Sequence, residues 1–180
     1  MEEKELAESI AKAIDFNLSQ IFNEIDLKVK NITHINAEAV NALNPAKQET
    51  KIFVFSEINS QEIKSKIVIS FSKENALKMV DLIKGAAFGS TKLLTSQEIN
   101  SLKEVSLNLC KACVNSMNSI ANTSMAVGQP DVCFSFSSFE NEFVVGSLKG
   151  EGRLFELTLI VGGTDIKGEL KFFMPLGAIK

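Results

Sequence analysis

Cys110 and Cys113 form a Cys-x-x-Cys motif, which in other proteins carries out redox chemistry or binds zinc. A reactive pair needs the N-terminus of a helix to stabilise its thiolate, whereas this pair falls in the middle of a helical pattern, on its apolar stripe. Because free cysteine packs as a small hydrophobic residue, we predict that both thiols are buried in the core.

The segment Gly85-Ala-Ala-Phe-Gly89-Ser-Thr-Lys92 has the composition of a phosphate-binding loop, but not its order. Its glycines are four positions apart instead of five, its lysine follows the Ser-Thr pair, and a helix precedes it where a strand should. We therefore predict a mobile surface connection.

Two carboxylates, Glu8 and Glu104, occupy equivalent places on the polar sides of two long helical patterns. A carboxylate with an amide one turn later, such as Glu104 with Asn108, would project both groups from one helix face. The pair could orient a water molecule or contact another protein, or the face could be an ordinary solvated one.

Composition excludes several other chemistries. The 180-residue chain has a net charge of −3, and Arg153 is its single arginine, so we predict no nucleic-acid partner. The single histidine, His34, is expected to face solvent, and we predict no metal site and no cofactor. Three cysteines and the absence of a long apolar run predict a soluble, cytoplasmic protein without a membrane span.

The elements that position these residues follow from hydrophobic periodicity. Long amphipathic helices are predicted over residues 5–25 and from Ser96 to Asn122, and a short helix runs from Lys73 to Lys84 between a Ser72 cap and Gly85. Thr95 and Glu98 form a capping box for the second long helix. Strand patterns occupy one or two stretches within 26–56, then 63–71, 132–137, 143–148, 154–161 and 166–174. The last three should form an antiparallel meander.

Phenylalanine is abundant, with 13 residues. Those at strand positions are predicted to be core residues: Phe53, Phe55, Phe71, Phe134, Phe136, Phe172 and Phe173.

A weak internal repeat organises the chain. Leu6-Ala-Glu8 corresponds to Leu102-Lys-Glu104, and Ile63 to Ile69 aligns without gaps to Ile166 to Phe172. We predict one α+β domain over residues 1–180, with halves at about 5–85 and 96–175. The halves would form a pseudo-twofold arrangement of two long helices on an antiparallel sheet, with an additional short helix.

Residues 65–85, 94–121 and Gln129-Pro130 together resemble the CheC/CheX/FliY family of chemotaxis phosphatases and the related middle domain of FliM. The order of strand, short helix, loop and motif helix is similar. Glu104 matches the motif glutamate, Asn115 matches a downstream asparagine, and the first helix matches in the same register from Glu8.

Active members carry the motif Glu-x-x-Asn, and the resemblance implies dephosphorylation of the response regulator CheY. The asparagine positions the attacking water, and the glutamate anchors the regulator. Here Ala11 and Leu107 stand at the asparagine positions, and neither side chain can hydrogen-bond water. We expect a protein-interaction module with degenerate phosphatase motifs. The alternative is an active CheY-phosphate phosphatase that uses Glu104 and Asn108.

The resemblance also implies partners, namely flagellar switch proteins or CheY, and a place peripheral to the flagellar basal body on the cytoplasmic side. FliM-type domains carry a Gly-Gly-x-Gly contact to FliG where this chain has the loop Gly85 to Lys92. That loop departs from the pattern, so standard FliG binding is not expected. Leu107 would add an apolar side chain to a polar helix face, as an interaction surface does.

Overall fold

The computed structural model describes residues 25–36, 50–60, 64–136 and 151–175, and six helical residues near the N-terminus: Glu8, Ser9, Ala11, Lys12, Asp15 and Phe16. Apart from those six residues, the described helices are α1 (Lys73–Ile83) and α2 (Ser96–Ala121). The strands are β1 (Ile25–Asn36), β2 (Thr50–Asn59), β3 (Lys64–Ser72), β4 (Ala126–Val127), β5 (Asp131–Phe136), β6 (Glu151–Val161) and β7 (Lys167–Pro175).

All seven strands join one antiparallel sheet in the order β1-β6-β7-β3-β2, and both β4 and β5 pair with the outer edge of β2. The α+β class with an antiparallel sheet is confirmed. The last two strands of the predicted meander, β6 and β7, are neighbours joined by a tight turn in which Gly163 has a φ of 69°. The remaining predicted strand, residues 143–148, lies outside the described residues.

Local sequence signals determine the helix boundaries. The Ser72 side chain accepts a hydrogen bond from the backbone N–H of Asn75 and caps α1, and Gly85 follows that helix with a φ of 63°. At the start of α2, Thr95 and Glu98 form the predicted capping box. This helix stops at Asn122, which adopts the left-handed conformation with a φ of 51°.

Helix α2 packs on β2, β4 and β5 and against α1, and most of its circumference is buried. Cys110 and Cys113 are 1% and 0% exposed, as predicted for core residues. Deeper in the same core, under the helices, the rings of Phe155 and Phe172 stack with their centroids 4.7 Å apart.

The opposite face of the sheet also contains buried side chains. Phe53 and Val68 are fully buried there, and cross-strand ion pairs flank them. Lys171 lies 2.9 Å from Glu156, and its side chain is 9% exposed. Both faces of the central strands are therefore covered, which explains the nearly continuous apolar run of β3.

One core prediction is wrong. Phe134 is 54% exposed, although it pairs across the sheet with the buried Ile52. The alternation in β5 identified the correct face, but β5 is an outer strand and the described part of the chain leaves this position largely open to solvent.

The strand order has an internal regularity. Exchanging β1 with β5, β2 with β6 and β3 with β7 converts the order β1-β6-β7-β3-β2-β5 into its own reverse. Val68 pairs directly with Lys171, and these two residues are equivalent in the sequence repeat. The pairing of β1 with β6 is irregular between Val29 and Asn31, and at the opposite edge of the sheet residues 128–130 separate β4 from β5.

Candidate functional site

The carboxylate predicted as a site residue lies on the solvent side of α2. Glu104 is exposed, and Asn108, one turn further along, is half-buried. Lys111 and Asn115 extend the same exposed stripe. The structure therefore places Glu104 and Asn108 on one helix face, as the spacing predicts.

The two positions at which the resemblance expects an amide differ in their surroundings. Leu107 is half-buried at the margin of the exposed stripe. Ala11 is 5% exposed and belongs to the same buried cluster as Val105 and Leu109 of α2, so the N-terminal helical residues pack on this side of the sheet. Glu8, one turn before Ala11, is exposed. An amide at position 107 could reach solvent, whereas one at position 11 would point into the core.

The loop that follows α1 is held by one buried carboxylate. Asp81 is 0% exposed, and it accepts hydrogen bonds from the backbone N–H groups of Gly89 (2.7 Å), Ser90 (3.2 Å) and Thr91 (2.8 Å). Hydrogen bonds from the Thr91 side chain and from these N–H groups lower the pKa of Asp81 against the opposing effect of burial. A charged hydrogen-bond acceptor thus fixes the place where the loop turns back toward α1. Gly89, in this loop, has a φ of 86°.

A second carboxylate joins the two ends of the same loop. Glu98, 7% exposed, forms an ion pair with Lys84 before the loop and accepts hydrogen bonds from the Thr95 hydroxyl and backbone N–H after it. The Lys84 ammonium, followed by the Thr95 hydroxyl, lowers the pKa of Glu98 to about 2. Residues 84–95 are therefore tied to α1 by Asp81 and to α2 by Glu98.

This anchored segment presents apolar side chains to solvent. Phe88 is 48% exposed and Leu93 is 68% exposed, and Phe134 on β5 lines the same groove as Leu93. Large exposed apolar residues that line one groove, as Leu93 and Phe134 do, are typical of protein-binding surfaces.

Sequence reasoning missed Asp81, because its partners lie eight to ten residues away in a loop without a recognisable motif. One signal was present: Asp81 directly follows the apolar residues Met79 and Val80 of α1, and a buried aspartate needs several donors. Glu98 was identified as a capping residue, but its ion pair with Lys84 was not.

Burial makes the cysteine pair unsuited to redox or zinc chemistry. It raises the pKa of Cys110 to about 12 and that of Cys113 well above its ordinary value. Neither thiol supplies a thiolate at neutral pH.

Solved structures of FliY, of the FliM middle domain and of CheX share this arrangement of an antiparallel sheet and helices. The chain has the CheC/CheX/FliY/FliM fold. It is similar to Thermotoga maritima FliY, with a TM-score of 0.66 and 14% identity, over 92% of this chain and 84% of that one.

Two further solved structures support this assignment. CheX from Desulfovibrio desulfuricans has a TM-score of 0.60 and 11% identity, over 94% of this chain and 99% of that one. The FliM middle domain from H. pylori has a TM-score of 0.55 and 15% identity, over 98% and 95% respectively. No protein-family profile and no curated protein matches the sequence.

Among the described residues, no helix combines the length and the apolar character needed to cross a membrane.

Proposed function

We propose that this protein is an interaction module of the flagellar switch or chemotaxis apparatus, of the CheC/FliY/FliM type, with degenerate phosphatase motifs. The observation that carries the proposal is the CheC/CheX/FliY/FliM fold without an amide at either motif position. Leu107 and Ala11 offer no hydrogen bond to an attacking water. The chain therefore has the fold but lacks the side chain that would position this water.

The palindromic strand order supports an internal duplication as the basis of this single domain. With Val68 opposite Lys171, a pseudo-twofold axis would pass between β3 and β7 and relate the two halves. The loop after α1, residues 84–95, is the part of the first half that we propose as a contact surface.

Complexes of similar domains support a binding role. FliM from H. pylori has been crystallised in one complex with FliG and in another with SpeE. In the present chain, the loop around Phe88 is anchored by Asp81 and Glu98, so little conformational entropy is lost when a partner binds. The partners we propose are flagellar switch proteins or CheY, at the cytoplasmic side of the motor.

A second candidate function rests on the placement of Glu104 and Asn108. The exposed carboxylate and the half-buried amide lie one turn apart on the same stripe of α2. If a docked regulator met this stripe, the Asn108 amide could orient water at its aspartyl phosphate while Glu104 holds the regulator.

The decay of purified phosphorylated CheY, with and without this protein, separates the two functions. The interaction role predicts unchanged decay together with measurable binding of purified CheY or switch proteins. The phosphatase predicts faster decay that is lost in Glu104→Ala and in Asn108→Ala. Asn115→Ala is the matched control, since Asn115 is an exposed amide on the same stripe. Unchanged decay without any binding would contradict both functions.

A further inference from the structure

A groove opens at the outer edge of the sheet, beside the start of α2. It has a volume of about 400 Å³, within the range of binding pockets. Its apolar lining includes the buried Ile52, the half-buried Leu94, and the exposed Leu93 and Phe134.

The groove is distinct from the stripe of Glu104 and Asn108, since none of its lining residues belongs to α2. Leu93 and Phe134 are 68% and 54% exposed, so both are accessible to a partner. Exposed apolar side chains around a buried apolar floor have the composition of a hot spot that accepts one large side chain.

The charge around the groove indicates the chemistry of its occupant. Lys73 lines the groove and is exposed. Carboxylates on the same segments are engaged in other contacts. Glu98 is buried against Lys84, and Glu74 pairs with Lys78 at 2.7 Å. An anionic partner is therefore favoured at this rim.

We propose that the groove binds a short peptide segment of a partner protein, with one large apolar side chain against Ile52 and Phe134 and a carboxylate beside Lys73. This inference rests on the proposed interaction role and specifies the chemistry of the partner. Lys73 selects an acidic flanking residue, and the apolar lining supplies most of the binding free energy.

Fluorescence anisotropy with three labelled ten-residue peptides tests the proposal. The first carries a central phenylalanine flanked by glutamates, the second replaces the glutamates with lysines, and the third replaces the phenylalanine with serine. We expect the first to bind at least about tenfold more tightly than the other two. Equal binding of all three, or no binding of the first, would overturn the proposal.

Two pairs of variants locate the binding on the protein. Phe134→Ser should weaken the acidic peptide about tenfold, whereas Phe16→Ser, which alters an exposed phenylalanine among the N-terminal helical residues and outside the groove lining, should not. Lys73→Glu should reduce or reverse the preference for the acidic peptide, and Lys111→Glu, at an exposed lysine of α2, should leave it unchanged. Peptide affinity that is insensitive to Phe134→Ser and Lys73→Glu contradicts the assignment.

The outcomes distinguish this proposal from the function on which it rests. If CheY or switch proteins bind but the acidic peptide does not, the groove proposal fails alone. If the peptide binds as expected and no switch component does, the flagellar role fails alone. A concentration-dependent dimer in sedimentation, lost in Phe134→Ser and accompanied by no peptide binding, would assign the groove to a second copy of the chain instead.

Discussion

The buried carboxylate of Asp81 accepts a hydrogen bond from the backbone N–H of Gly89 at 2.7 Å, across the loop that separates α1 from α2. Two further N–H groups, of Ser90 and Thr91, donate to the same side chain. A carboxylate with several donors is stabilised in its charged form, so one residue of α1 determines where the loop turns back. The exposed Phe88 is presented from this fixed loop.

The substitution Asp81→Asn should loosen the loop. An amide oxygen is a weaker acceptor than a carboxylate, and the amide NH₂ group cannot accept the N–H groups that Asp81 accepts. Hydrogen exchange followed by mass spectrometry should show exchange at residues 89–91 accelerated by at least about tenfold, with a lower melting temperature. Glu74→Gln is the control, because Glu74 is exposed and pairs with Lys78 within α1. Equal protection in both variants would show that Asp81 does not hold the loop.

Acid should destabilise the protein through Glu98. Its pKa is about 2 in the folded chain, below its ordinary value of 4.5, because Lys84 and Thr95 stabilise the charged form. A depressed carboxyl pKa gives stability that is fully present above about pH 4.5 and is lost as the pH falls toward 2. The lowered pKa of Asp81 acts in the same direction. Denaturant unfolding measured between pH 2 and pH 6 should show this loss.

Two variants isolate the contribution of Glu98. Glu98→Gln should reduce the loss of unfolding free energy between pH 6 and pH 2, because the titrating group is removed. Lys84→Met should raise the pKa of Glu98, which can be followed by NMR titration of its carboxyl carbon. If the unfolding free energy falls equally with acid in the original protein and in Glu98→Gln, other carboxyl groups cause the loss of stability.

Thiol reactivity should distinguish the three cysteines. Cys110 and Cys113 are buried, and burial raises the pKa of Cys110 to about 12, whereas Cys133 is half-exposed on β5. Ellman's reagent should titrate one thiol per folded chain and three after denaturation. Cys133→Ser should abolish the reaction of the folded protein, and Cys110→Ser should not change its stoichiometry. Rapid native modification of Cys110 or Cys113 would contradict the buried assignment.

Features that depend on local sequence were predictable. The Ser72 cap and the Thr95/Glu98 capping box involve residues three positions apart, so the sequence spacing alone predicts both. The exposed face of α2 with Glu104 likewise follows from helical periodicity.

Features that depend on long-range pairing were not predictable from local spacing. Apolar alternation shows that β5 is a strand, but not that it occupies an outer position that leaves Phe134 exposed. The anchoring of the loop by Asp81 depends on how the chain returns after Gly85, and no residue type in the loop specifies that path. The sheet order itself joins residues more than 100 positions apart, such as Val68 and Lys171.

Truncation of Phe172 tests the core under the helices. This ring is 1% exposed and stacks on Phe155 from the neighbouring strand, so Phe172→Ala leaves a cavity and removes an aromatic contact. We expect the free energy of unfolding to fall by about 3–5 kcal/mol. Phe88→Ala, at a 48% exposed position, should change it by less than about 0.5 kcal/mol. Equal effects of the two truncations in denaturant unfolding would place Phe172 outside the core.

The two positions at which the resemblance expects an amide, Ala11 and Leu107, should respond differently to substitution by asparagine. Ala11 is 5% exposed, so Ala11→Asn buries an amide and should destabilise the fold by about 1–3 kcal/mol. Leu107 is half-buried beside the exposed Glu104, so Leu107→Asn should be tolerated and should place an amide where a docked regulator could meet it. If CheY binds, Leu107→Asn should accelerate the decay of its phosphorylated form, and Leu107→Asn combined with Glu104→Ala should not. Leu107→Asp is the matched control, since the aspartate side chain has the shape of asparagine but offers no N–H donor. Bound CheY whose decay is unaffected by Leu107→Asn would contradict the proposal that a missing amide at position 107 prevents phosphatase activity.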